Sequence, residues 1–78
     1  MRELDLKGLK CPLPALKLRR ALRRLPAGEA LMVLCTDPLA QIDIPNAVRE
    51  SGDLLLSQGE RDGAFVFVVE RRAGVTAA

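Results

Sequence analysis

Histidine is absent from this chain, and so are tyrosine and tryptophan. The first absence removes the Cys–His and Ser–His nucleophile pairs and most zinc sites. There is also no CxxC pair and no glycine-rich phosphate loop. Phe65 and Phe67 are the only aromatic residues. Branched aliphatics must therefore fill the core, and there is no aromatic platform for stacking the bases of a single strand. No apolar stretch approaches the length that spans a membrane. Residues 1–10 alternate charged and apolar, without the apolar run of about 7–15 residues that marks a signal peptide. Cysteine is scarce: Cys11 and Cys35 do not make a disulfide framework. These absences point to a reducing, cytoplasmic compartment with no membrane association.

What remains is compact. With 78 residues, 49% of them hydrophobic and 28% charged, the sequence fits one small globular domain. A domain of this size buries roughly 60% of the surface its unfolded chain exposes, so stability is expected to be modest. The expected core runs from about residue 2 to 72, with 73–78 a mobile tail. The net charge is only +2, but it is unevenly spread. Lys7, Lys10, Lys17, Arg19, Arg20, Arg23 and Arg24 form a basic window that contains no acid. Such a window is either a solvated helix face or a patch for an acidic partner, protein or RNA.

Residues 2–6, RELDL, alternate like a short strand, and Gly8 marks a turn. From Pro12 to Leu25 the pattern is helical, with Ala15, Leu18, Ala21, Leu22 and Leu25 on one side. Pro26 and Gly28 end it. EALMVLCT, residues 29–36, reads as a buried strand. Residues 39–51 carry Leu39, Ile42, Ala47 and Val48 at helical spacing. Asp43 is expected to cap this helix, with Pro45 in its first turn and Gly52 as its stop. DLLLSQ, the loop GERDG and AFVFVVE then read as a hairpin. The order is β-α-β-α-β-β. A right-handed crossover between the first two strands places both helices on one sheet face, an α+β two-layer sandwich.

The helix start CPLP, residues 11–14, carries the chemistry. With Cys11 at the N-cap, Pro12 and Pro14 occupy N1 and N3, where no intrahelical N–H is lost. Leu13 at N2 is then the one donor aimed at the Cys11 sulfur. The helix dipole and Lys10 add positive charge there, and all three favour thiolate. A free cysteine titrating near 8.5 is roughly 3% thiolate at pH 7. A dipole worth about 0.3–1 kcal/mol lowers that value by less than about one pH unit. The expectation is a moderately reactive, exposed thiol. Without a general base or an oxyanion hole it suits sulfur–sulfur exchange rather than acyl transfer.

These residues resemble a known family. LDLKGLKCPLPALKLRRAL, followed by LPAGE, TDP and DIP, is similar to the TusA/SirA-like sulfur-carrier proteins from about Leu4 to Arg71. Their hallmark is a CPxP element after the first strand, here Cys11, Pro12, Leu13 and Pro14. The resemblance implies a four-stranded mixed sheet in the order 1-2-4-3. It implies that Cys11 accepts sulfane sulfur as a persulfide, with no cofactor. Its donors would be cysteine desulfurases or rhodanese-type proteins, and its acceptors further relay proteins. Outputs in the family include tRNA thiolation, molybdenum-cofactor supply and sulfur metabolism. The motif lies close to the first residue, so no extra domain is expected ahead of it. Cys35 is not part of the hallmark. It is either a core cysteine in an apolar strand or, since the topology brings both cysteines to one sheet edge, a partner for Cys11.

The outward face of the first helix carries Leu13, Leu16, Arg20, Arg23 and Arg24. Two leucines beside Cys11 suggest a docking patch, with the arginines steering an acidic partner. Asp37 and Asp43 could form an acid pair, but their positions before Pro38 and at an expected helix start favour turn and helix caps. Two alternatives to the sulfur carrier stay open. One is a thiol-redox regulator using Cys11 with Cys35. The other is a non-catalytic RNA- or protein-binding module using the basic helix, although the missing aromatics argue against direct nucleic-acid binding.

Overall fold

The structure is a computed structural model, and it describes residues 2–72. The tail expected to be mobile, 73–78, lies outside the described residues. The elements follow in the order β1 (Arg2–Leu6), α1 (Leu13–Arg24), β2 (Ala30–Cys35), α2 (Ala40–Ser51), β3 (Leu54–Arg61) and β4 (Ala64–Glu70). They build one four-stranded sheet in the order β1-β2-β4-β3. β1 runs parallel to β2, and β4 is antiparallel to both β2 and β3.

The register explains which side chains form the core. Leu6 pairs with Cys35, Leu4 with Val33, Val33 with Phe67, and Leu31 with Val69. Partners across a ladder share a face. That face packs under Leu18 and Leu22 of α1 and Ile44 and Val48 of α2. Val33, Phe67, Val69, Leu18 and Ile44 have no exposed surface. Each fully buried aliphatic or aromatic side chain contributes about 1.5–3 kcal/mol from burial. The two helices therefore cover one face of the sheet. Met32, Val66 and Val68 point to the other face and are half-buried.

The helices differ in detail from the periodic reading. α1 buries Pro14, Leu18 and Leu22, one residue every turn, while Ala15 and Ala21 are only half-covered. α2 starts at Ala40, earlier than a cap at Asp43 would allow. Its start is set by Asp37, whose Oδ1 accepts the Leu39 N–H at 3.0 Å and whose carbonyl accepts the Ala40 N–H at 2.9 Å. The inward stripe becomes Ala40, Ile44, Ala47 and Val48, and Leu39 and Ile42 are turned out to solvent. Pro45 thus lies inside the helix, not in its first turn. A proline there has no N–H for the carbonyl four residues back. That carbonyl, on Gln41, instead receives the Gln58 side-chain amide from β3 at 3.4 Å.

The hairpin is tighter than its polar sequence suggests. Gly59, Glu60 and Arg61 pair with Val66, Phe65 and Ala64, so the strand continues to Arg61. The turn is only Asp62-Gly63, at φ of 53° and 80°. Positive φ at both central residues is the two-residue hairpin turn whose twist matches the strands. At the other end, Asp53 accepts the Arg72 N–H at 2.8 Å and the Ser51 hydroxyl at 2.7 Å. Arg71 donates to the Leu22 carbonyl, tying the end of β4 to the end of α1.

Candidate functional site

Cys11 sits in the loop between β1 and α1, at the C-terminal edge of the parallel strand pair. That loop is held by the two residues that follow β2. The Gly8 N–H donates to Thr36 Oγ1 at 2.9 Å, and the Cys11 N–H donates to Asp37 Oδ2 at 2.6 Å. The Asp37 carboxylate therefore bridges the Cys11 loop and the entry to α2. Its carboxyl is held below the usual carboxylate range by the Cys11 N–H, then by the Leu39 N–H and by Lys10.

The helix start differs from the expected arrangement. α1 begins at Leu13, with Pro12 as the residue before it, and the Cys11–Pro12 peptide is cis. Cys11 is thus one residue outside the N-cap, and Pro14 takes N2, not N3. The Leu13 N–H donates to the Lys10 carbonyl at 2.9 Å, not to sulfur. Among the described residues no helix N–H is bonded to the thiol. Instead, the Cys11 Sγ donates to Asp43 Oδ2 at 2.8 Å.

This reverses the expected thiol chemistry. The Cys11 pKa is raised, first by the hydrogen bond to Asp43, then by desolvation and by the negative charges of Asp43 and Asp37. A thiol that donates to a carboxylate must give up that bond on ionising, and the new charge then faces two others. Lys10 helps to hold the Asp37 carboxyl low. Cys11 is a free thiol at the surface, and its surroundings disfavour the thiolate.

Four exposed apolar side chains flank this thiol and its two acids in sequence. Leu13 and Leu16 on α1 are 45% and 55% exposed, and Leu39 and Ile42 at the start of α2 are 53% and 61% exposed. The expected patch includes Leu13 and Leu16 but not Leu39 and Ile42, for which the sequence shows only helical spacing. Arg20, Arg23 and Arg24 are exposed, as the helical wheel suggested. They divide between two sides of α1. Arg20 and Arg24 line a shallow depression with Lys17 and Leu4, whereas Arg23 lines a cleft with Arg19, Glu50 and Arg71.

Cys35 is fully enclosed in the core cluster. Burial, and secondarily Asp37, pushes its thiol up to about 11. Both cysteines are free thiols. Among the described residues, no group of three or more His, Cys, Asp and Glu side chains is placed to hold a metal ion. No helix among them is long and apolar enough to cross a membrane.

Asp43 is the site residue that local reasoning missed. A capping role accounted for it in sequence, so nothing pointed to the thiol. The available signal was topological: Cys11 follows β1, Asp37 and Asp43 follow β2, and parallel neighbours bring their following loops to one edge.

Comparison with known proteins agrees with this architecture. The family model described as sulfurtransferase TusA matches residues 2–71. A protein of Neisseria meningitidis is 44% identical over 69 residues, covering 88% of this chain and 93% of that one. The sulfur carrier protein TusA of Pseudomonas putida is 40% identical over 70 residues, 90% of this chain and 88% of the relative. That of Allochromatium vinosum is 35% identical over 69 residues, 88% and 91%. The crystal structure of a SirA-like protein from Desulfitobacterium hafniense superposes with a TM-score of 0.80, covering 92% of this chain and 99% of that one. At 23% identity, that likeness speaks for the fold alone. With the family model matching nearly its whole length, the chain belongs to the TusA family of sulfur carrier proteins.

Proposed function

We propose that Cys11 is the sulfur-carrying residue, accepting sulfane sulfur as a persulfide and relaying it to an acceptor protein. The supporting observation is the exposed Cys11, its N–H held by Asp37 and its thiol by Asp43, with the exposed Leu13, Leu16, Leu39 and Ile42 flanking these residues in sequence. In the transfer, the Cys11 thiolate attacks the terminal sulfur of a donor persulfide. A new S–S bond forms on Cys11 as the donor's S–S bond breaks, and the donor leaves as a thiolate that takes up the proton Cys11 released. No cofactor, metal or external oxidant enters that balance.

The donor is a cysteine desulfurase or a rhodanese-type protein, and the acceptor is a further relay protein. The sulfur then serves tRNA thiolation, molybdenum-cofactor supply or sulfur metabolism, and the acceptor decides which. The chain works as one domain in the cytoplasm. Lys10, Pro12, Leu13 and Pro14 shape the loop and helix start around Cys11. Leu16, Arg20, Arg23 and Arg24 serve docking, the leucine giving apolar contact and the arginines, on two sides of α1, steering the partner.

Incubation with a cysteine desulfurase and cysteine, followed by mass spectrometry, tests this reading. A gain of about 32 Da on the Cys11 peptide, one sulfur atom, is expected. It should be absent in Cys11→Ser. A loss of about 2 Da without any such gain, marking an internal disulfide, would favour the redox reading instead. The enclosure of Cys35 weighs against that outcome.

A further inference from the structure

We propose that Asp43 is a positioning residue that holds the Cys11 sulfur closed as a hydrogen-bond donor, so that a partner must break the Cys11–Asp43 bond before sulfur can move. The inference concerns control of the same cysteine, and its place in sulfur transfer rests on the reading above.

The bond between Cys11 and Asp43 has a fixed direction. An ionised carboxylate only accepts, so the 2.8 Å contact between Sγ and Asp43 Oδ2 requires a protonated sulfur. The thiolate that transfer needs cannot make this bond. Forming it in the free protein leaves sulfur and Asp43 facing each other as two anions, with Asp37 beside them.

The groups around the sulfur offer little to offset this. From the β2–α2 loop comes Asp37, which holds the Cys11 N–H at 2.6 Å. From α2 comes Asp43 itself, with its N–H bonded to the Leu39 carbonyl at 2.9 Å. From α1 the Leu13 N–H is already used by Lys10, and Pro14 has none. The neighbouring cation, Lys10, acts on Asp37.

The position of Asp43 also suits a lock that docking opens. Its neighbours Leu39 and Ile42 are among the exposed apolar side chains of this end of the molecule. A partner that docks on them meets the same first turn of α2 that carries Asp43. The free carrier would then be slow toward stray electrophiles and oxidants, and quick only in a complex.

The test needs no sulfur donor. Alkylation of the full chain by iodoacetamide is followed across pH, and the Cys11 peptide is quantified by mass spectrometry. Asp43→Asn keeps the shape and an acceptor oxygen while removing the charge. Its profile is expected to move to lower pH, with alkylation at pH 7 rising several-fold; one pH unit corresponds to about tenfold more thiolate. Asp43→Glu should return the profile part of the way. A profile for Asp43→Asn that coincides with wild type, or moves to higher pH, overturns the proposal. Should that variant fail to fold, the wild-type profile decides. A half-point above that of an unstructured cysteine, about 8.5, supports the lock, and one at or below it overturns it. Failure of persulfide loading would leave this result standing, so the two readings fall separately.

Discussion

The backbone N–H of Cys11 donates to the Asp37 carboxylate at 2.6 Å and so joins the loop after β1 to the loop after β2. Asp37 also accepts the Leu39 N–H at 3.0 Å, at the entry to α2. One carboxylate thus positions the cysteine backbone and the start of the helix that supplies Asp43.

This bond makes stability depend on pH. The folded-state pKa of Asp37 is lowered, chiefly by the Cys11 N–H. A carboxyl of this kind stabilises the fold above its unfolded value, about 3.9, and the contribution is lost as pH falls through the folded value. Asp37→Asn should therefore be less stable than wild type at neutral pH, and the two should converge in acid. Urea unfolding midpoints measured on both proteins across that range check it. A gap that persists unchanged below the folded value would show that the charge is not what matters.

The two thiols should be separable by reagent. With its thiol pushed up to about 11 and no exposed surface, Cys35 should resist labelling. At pH 8, only roughly 0.1% of a thiol titrating at that value is ionised. A native thiol titration at pH 8 should count one cysteine, Cys11, and a denatured one should count two. Labelling of Cys35 at a rate comparable to Cys11 would contradict the enclosed position.

Phe67 lies at the centre of the sheet face under both helices, with no exposed surface. Phe67→Ala removes a large buried ring, a change that costs about 3–5 kcal/mol. A domain of this size has a total stability of roughly 4–12 kcal/mol. Urea denaturation should show a large fall in the unfolding midpoint, reaching unfolding in buffer if the total lies near the lower end of that range. A loss under about 1 kcal/mol would mean that the site collapses around the missing ring.

Gly63 tests the hairpin. At φ of 80° it is in the left-handed region, and a Cβ added there would meet no heavy atom within 4 Å. Gly63→Ala therefore carries conformational strain without a clash, about 1–2 kcal/mol. Thermal unfolding should fall by roughly 4–16 °C for a domain of this size.

The basic side of α1 makes a kinetic prediction. Charge reversal at both Arg20 and Arg23 should slow sulfur transfer from a cysteine desulfurase roughly tenfold at low salt, because steered encounter depends on surface charge. The difference should shrink as salt rises and screens the attraction. Equal rates at low salt would show that these arginines do not steer the donor.

Local chemistry was enough to read the element order. Periodicities of two and of about three and a half, punctuated by Gly8, Pro26, Gly28 and Gly52, mark strands, helices and their ends because backbone preference acts within a few residues. The CPLP element and its accompanying motifs carried the family and, with it, the sheet order. Local reasoning failed where a distant partner outweighed it. Gly59 to Arg61 look like loop, but β4 pairs with them and extends the strand. Pro45 looks like a helix start, but Gln58 from β3 takes up the carbonyl it leaves free.

The site shows the same division more sharply. Sequence by itself determined that an accessible cysteine stands just ahead of a proline-marked, basic helix. Only the tertiary structure decided the state of its sulfur. Asp37 and Asp43 lie 26 and 32 residues along the chain from Cys11. The parallel pairing of β1 with β2 brings them to the same edge. A nearby helix dipole argued for thiolate, but two carboxylates folded against the loop argue for thiol. The closer charges and the direct hydrogen bond prevail, because electrostatic influence falls with distance and a bond made to one protonation state selects that state.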